Sequence, residues 1–492
     1  MAYNRLLFRR QYVLGARFVE REGWLQLHLG KQLCLTYHPD LLVTQKQNPR
    51  VQLTLLGYLA DSEHPEWSDT QILTDLAKAK THLEDILKKT YRLGGRWILI
   101  IVYPDAAYIL HDAIGLRDIY YTRQADGVWC GSQPHLLASH LDMPLSQDRD
   151  IRAFFAPEHL RSRCLMWSGN RTTYDGIFHL LPNHLLNLST GAVTRYGIDL
   201  PERTLPIQVA IRENCRILSN LMQAIHHRFK PIIACTAGSD SRVILAASRR
   251  VAPQSEFYAC QYANITSSHP DIAVPSQMLY EQGVPFTVQP AVREPDAQFE
   301  EAVEQNTFIM KSWTVPVTYM LYKRFSDRLS VSENSLPLFK VFFPRLTDPS
   351  GYKLARMVHQ HRFPFIVECL DAWLASAKDY LDDPRLQISD HYFWEFLMGN
   401  WAATAATLQD VAVEECSPTN CRQFILNFYS VDPRYHTEKH TYDFHHKMIK
   451  QMWPELLDYP INPTRKACFY RTLRHYGMFH RLQHWKNLLL NR

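Results

Sequence analysis

The chain has 492 residues, 46% of them hydrophobic and 21% charged, with a formal net charge of +5. This is the composition of an ordinary globular protein, and at roughly 150 residues per domain the length predicts two or three domains. The small net charge, without a dense Lys/Arg run, argues against a nucleic-acid partner, and no apolar window approaches the roughly 18 residues that a membrane-spanning helix needs. The 10 cysteines are scattered and form no Cys-x-x-Cys pair, which disfavours zinc-ribbon and thioredoxin-like chemistry. With no long apolar stretch at the N-terminus, these thiols are expected in a reducing, cytoplasmic setting.

Residues 1–60 alternate polar and apolar residues in short runs, as in Leu25-Gln26-Leu27-His28-Leu29 and Val51-Gln52-Leu53-Thr54-Leu55, and predict antiparallel strands. Residues 69–91 carry apolar residues at helical spacing and read as one helix. Strands resume at residues 97–103, 107–110, 120–121 and 128–130, so a β-rich sandwich with a helix or two is expected up to about residue 195. The texture then changes. A helix over 206–228 is followed by an apolar run, Ile232-Ile233-Ala234-Cys235, and by alternating strands (256–260, 286–289) and helices (from Asp271 to Gln282). Alternation of this kind predicts a doubly wound parallel sheet. After residue 352 the chain reads as helical and rich in aromatic residues. Pro201 and Pro206 punctuate the change, dividing the chain into 1–200 and 201–492.

The stretch of greatest chemical interest is Thr236-Ala237-Gly238-Ser239-Asp240-Ser241-Arg242, between the apolar run and a run of helix formers. A strand that enters a helix through small residues leaves the N–H groups of the first helical turn free to bind an anion. Gly238 allows close approach, and Thr236, Ser239 and Ser241 add hydroxyl groups. A carboxylate beside phosphates needs a cation between them, so Asp240 reads as a magnesium ligand. An ordinary strand–turn–helix corner is built from the same residue types and stays open as the alternative.

This loop resembles the Ser-Gly-Gly-x-Asp-Ser loop of the PP-loop ATP pyrophosphatases. Three upstream stretches are similar to segments of class II glutamine amidotransferase domains: Asp112-Ala113-Ile114-Gly115 leading to Tyr120-Tyr121, Cys130-Gly131-Ser132-Gln133, and Thr172 to His184 with Gly176-Ile177 and Leu181-Pro182. In that order, the motifs resemble the asparagine synthetase family, whose relatives include β-lactam synthetase and lasso-peptide cyclases. The resemblance implies an amidotransferase-like α+β sandwich followed by an α/β ATP-binding domain with a helical C-terminal part. It implies ATP and Mg2+ as cofactors, a small-molecule or peptide carboxylate as substrate, and an amine or ammonia as acceptor. Residues 236–242, Tyr258 and Asp271 would then bind the nucleotide, Asp271 having a plain helix N-cap as its alternative reading. Asp240 and Glu333 would hold metal, Lys439 or Lys447 (with Lys450 as a further candidate) would stabilise the adenylation transition state, and Glu395 would be catalytic or structural.

Two departures qualify the resemblance. Glutamine-using relatives carry a cysteine directly after the initiator Met, where this chain has Ala2. An alanine supplies no nucleophile, so the N-terminal half is expected to have lost glutaminase activity. In place of the family's Gly-rich loop with an Asp-Glu pair, residues 330–340 read Ser-Val-Ser-Glu-Asn-Ser-Leu-Pro-Leu-Phe-Lys. Glu333 alone offers a carboxylate there. The implied activity is an AMP-forming amide ligase; the alternative is a catalytically reduced nucleotide-binding or scaffold relative.

Overall fold

The computed structural model describes residues 4–78, 82–162, 166–261, 265–290, 294–308, 314–378, 383–480 and 482. The N-terminal half is built from two six-stranded antiparallel sheets. From edge to edge, the first runs Phe178–His179, Tyr120–Gln124, Gly127–Gly131, Tyr12–Gly15, Leu33–Tyr37, Leu25–Leu29. The second runs Val193–Arg195, His184–Asn187, Ala107–His111, Leu93–Val102, Gln52–Asp61, Val43–Gln47. Tyr12, Leu14 and Leu35 of the first sheet share one buried cluster with Leu56, Ile98, Ile100 and Ile109 of the second, so the sheets stack as a sandwich.

The run Trp97 to Val102 is continuously apolar rather than alternating because its sheet is covered on both faces. Ile98 and Ile100 point into the sandwich, while Leu99 and Ile101 pack against Ile72, Leu73 and Leu76 of a helix on the other side. Two helices, Asp69–Ala77 and Leu83–Lys89, stand where the periodicity predicted one. Residues 79–81 between them lie outside the described residues.

A long helix, Ile207–Arg228, leads into a five-stranded sheet that is parallel throughout. Its strands lie in the order Phe286–Pro290, Glu256–Gln261, Pro231–Ala234, Leu329–Val331, Glu414–Cys416. In chain order this is 3-2-1-4-5, with helices in the connections, the doubly wound arrangement that the alternation predicted. The sheet order places the ends of Pro231–Ala234 and Leu329–Val331 side by side, and the chain departs to opposite sides from these two strands. In open sheets of this kind ligands bind outside the carboxyl ends of the strands at that point.

The two halves share a core. Tyr58, Ile114 and Leu181 belong to the same buried cluster as Leu218, Ile233, Trp394 and Tyr429. Arg96, 1% exposed, is paired at 2.5 and 2.8 Å with both oxygens of Asp410. Arg117 meets Glu414 at 2.5 Å. Among the described residues no helix is long and apolar enough to cross a membrane.

Candidate functional site

The strand Pro231–Ala234 ends in the loop 235–238, and the helix Ser239–Ala247 starts with Gly238 as its N-cap residue. The loop is wound tightly around its own hydroxyl groups. Thr236 N–H donates to Ser241 Oγ at 3.1 Å, Gly238 N–H donates to Thr236 Oγ1 at 3.2 Å, and Ser241 Oγ donates to the Thr236 carbonyl at 3.2 Å. Two neighbours fix it from outside. Ala237 N–H donates to Asp271 Oδ1 at 3.1 Å, and the Ala237 carbonyl accepts from Asn462 N–H at 2.9 Å. Asp271 therefore braces the loop, and the N-cap of its own helix is His269, whose Nδ1 accepts Asp271 N–H at 3.2 Å.

Asp240 sits in the first turn of the loop helix. Its Oδ1 accepts from Ser239 Oγ at 3.0 Å, and its Oδ2 lies 2.6 Å from Lys340 Nζ. Burial pushes this carboxyl up, but the charge and hydrogen bond of Lys340, with the Ser239 hydroxyl, outweigh it and hold the carboxyl below its ordinary value. Lys340 is 19% exposed and its ammonium lies 5.5 Å from the centre of the Tyr442 ring. It arrives from the loop after Leu329–Val331, across the switch point of the sheet. Glu333 belongs to the same loop. Burial first, then the charge of Asp240, raise its carboxyl to about 7. Glu415, from the adjacent strand, ties the loop down by accepting from Ser332 Oγ at 2.6 Å and Asn334 Nδ2 at 2.7 Å.

His445 lies on the helix Asp443–Met452, which packs along the loop helix. It is fully buried, and neither ring nitrogen has a hydrogen-bond partner among the described residues. Burial lowers its pKa to about 3, with Asp240 raising and Lys340 lowering it in turn, so the ring is neutral near pH 7. A cavity of about 420 Å³ opens beside this group, lined by Lys439, Tyr442, His446, Asn462, Tyr470 and Arg474 among others.

The expected magnesium ligands do not fit that ion in this arrangement. Magnesium demands several oxygen donors in near-octahedral geometry. Here one oxygen of Asp240 is held by an ammonium and the other by a hydroxyl, and among the described residues no group of three or more His, Cys, Asp or Glu side chains is placed to hold a metal ion.

The remaining expected residues divide. Lys439 lines the cavity and is exposed, as is Lys447 on the helix beside it. Tyr258 is buried, with its ring 5.6 Å from that of Phe325, and its backbone carbonyl accepts from Cys235 N–H at 2.9 Å. Tyr262 lies outside the described residues. Arg242 is not turned to the loop: its fully buried guanidinium donates to the carbonyls of Leu456, Tyr459 and Pro460 at 2.7–3.1 Å. It secures the segment that brings Asn462 to Ala237.

Glu395 is part of a separate buried cluster. It accepts from Trp373 Nε1 at 2.6 Å, Asn183 Nδ2 at 3.2 Å and Arg195 Nη2 at 3.0 Å, and His391 Nε2 stands 3.1 Å away. None of these partners belongs to the loop, so Glu395 joins the C-terminal helices to the sandwich. Cys34 is a buried strand residue whose thiol is raised by burial, and Ala2 lies outside the described residues.

Sequence reasoning missed Lys340 and His445. Lys340 closes the stretch 330–340, which has neither the glycines nor the acidic pair of the loop it stands in for. His445 lies on the apolar face formed by Phe444, Met448 and Ile449, where a lone histidine reads as core.

No protein-family model matches the chain, and no curated protein does. Among solved structures, the chain is similar at 12% identity and a TM-score of 0.25 to glutamine phosphoribosylpyrophosphate amidotransferase from B. subtilis, complexed with ADP and GMP. That match covers 73% of this chain and 75% of the other. A structure of the allosteric regulatory enzyme of purine biosynthesis matches at 12% identity and a TM-score of 0.26, over 66% of this chain and 89% of that one. Overlaps this shallow bear on neither activity nor ligand.

Proposed function

We propose that the chain binds ATP at the loop 236–241 and acts as an AMP-forming amide ligase. One observation carries this reading: the loops 236–241 and 332–340 meet across the switch point of a parallel sheet, beside a cavity large enough for a small carboxylate. First-turn N–H groups of the helix, the hydroxyl-lined loop and the Lys340 ammonium together favour a polyphosphate. In the proposed reaction a substrate carboxylate oxygen attacks the α-phosphorus and pyrophosphate leaves. An amine or ammonia then attacks the acyl carbon, AMP leaves, and the amine proton passes to solvent or a nearby base. The amidotransferase-like half supplies no ammonia in this reading, and the acceptor comes from solution. Residues 1–200 and 201–492 are the two units proposed for these roles.

A second reading is favoured by the Asp240–Lys340 ion pair and by the missing Asp-Glu pair: a nucleotide-binding relative that performs no adenylation. Pyrophosphate release during incubation with ATP and a panel of carboxylates and amines separates the two. The ligase predicts carboxylate-dependent release that falls at least about 100-fold in Lys340→Met, as when a charge that acts in the transition state is removed. Calorimetric ATP binding with no release for any carboxylate selects the second reading.

A further inference from the structure

We infer that the Lys340 ammonium, with the His445 imidazole beside it, takes the bridging place of a divalent cation, so that the loop binds the triphosphate of ATP without a metal. The inference rests on the nucleotide reading above and concerns how that site balances charge. A carboxylate in the first turn of a phosphate-binding helix repels the ligand unless a cation stands between them. Here a cation from the protein itself is already in that position, with Nζ 2.6 Å from Asp240 Oδ2. An ammonium carries three N–H donors. With one on Asp240, two remain for phosphate oxygens. The Lys340 side chain is 19% exposed and held over the Tyr442 ring, so its position is set by the fold rather than by solvent.

The neighbouring carboxylates do not assemble a competing metal site. Glu415 faces the 332–334 loop and accepts from Ser332 and Asn334 there. Glu333 is half-buried, and its carboxyl is raised by desolvation and by the charge of Asp240. A second observation points to a ligand independently. His445 is fully buried on the helix that packs along the loop helix, and it has no hydrogen-bond partner for either nitrogen among the described residues. A ring N–H left without a partner in that place is one that a phosphate oxygen can satisfy.

Titration calorimetry of the full-length chain with ATP, once in magnesium buffer and once in EDTA, tests the inference without any substitution. The expected result is binding in both, with Kd differing by no more than about threefold. In EDTA, Lys340→Met should weaken binding at least about tenfold while Lys340→Arg, which keeps the charge, retains most of it. His445→Phe, which keeps the ring volume, should weaken it by about three- to tenfold for the lost donor. Binding that requires magnesium overturns the inference and leaves the nucleotide site standing. Equal EDTA binding by wild type and Lys340→Met, with melting curves showing both folded, also overturns it. No binding in either buffer removes the nucleotide reading itself.

Discussion

Glu395 keeps its charge where water does not reach, and the reason lies in its neighbours. Burial alone would push the carboxyl up, but His391, His184 and Arg195 hold it well below the ordinary value of 4.5. Removing the carboxylate leaves the Arg195 guanidinium, the Trp373 indole N–H and the Asn183 amide with unmet bonds in a dry place. Glu395→Ala is therefore expected to lower unfolding free energy by about 3–5 kcal/mol, read from the urea midpoint at neutral pH. Because the folded pKa lies below the unfolded one, the folded state releases this proton more readily. The stabilisation is fully present above the ordinary value of 4.5 and is lost as pH falls toward the folded pKa. Wild type and variant should thus converge in stability on acidification below about pH 4. A gap that persists unchanged to the lowest measurable pH contradicts the ionic origin. Asp240 is bound differently: it has one charged partner, Lys340, at 2.6 Å and one hydroxyl partner, Ser239.

At the scale of elements, the π-helical segment Phe393–Ala402 carries Glu395 and packs against the sandwich at one tight crossing. A Cβ placed on Gly399 would stand 2.5 Å from Pro182 Cδ, and proline has little freedom to give way. Glycine is required there for close approach rather than for an unusual backbone angle. Gly399→Ala is expected to destabilise by about 1–3 kcal/mol through overpacking, measured by denaturant unfolding, and to leave ATP affinity within about twofold because the loop is untouched. A loss of binding without a loss of stability would instead tie this helix to the nucleotide site. The loop helix and the helix Asp443–Met452 form the corresponding pair at the site. Their contact, together with the three carbonyls gathered by Arg242, sets the height at which Asn462 meets the loop.

Across the whole molecule, one hydrophobic cluster crosses the boundary read from sequence near residue 200. The N-terminal segment is pinned to the other half by the Gln11 amide, which donates to the Asn306 carbonyl at 2.6 Å, and by Arg10, which lies 3.4 Å from Glu414. The Arg96–Asp410 pair is buried between the halves, and the largest hydrophobic cluster runs through both. Calorimetric unfolding is accordingly expected to give one cooperative transition, and a fragment of residues 1–200 expressed alone should expose enough apolar surface to aggregate. Two resolved transitions, or a soluble folded fragment, would show that the halves are independent.

The sequence alone determined the features whose physical cause is local. Strand alternation in the first 60 residues, the long helix from residue 207, the parallel alternation after it, and a loop of small polar residues feeding a helix all follow from periodicity and turn chemistry within a few residues. Tertiary structure decided what the polar side chains of the site do, because their partners are far away in the chain. Lys340 reaches Asp240 over 100 residues, Arg195 reaches Glu395 over 200, and Arg242 reaches Leu456 over 214. Strand order is the intermediary in the first case: only the placement of Pro231–Ala234 beside Leu329–Val331 brings their two loops together. Glu395 and Arg242 carry residue types suited to a site, yet burial makes them braces. Lys340 and His445 stand in stretches that read as a lost loop and an apolar helix face, yet the fold places them against the charge of Asp240. Position relative to distant charge, which no local pattern encodes, separated the two pairs.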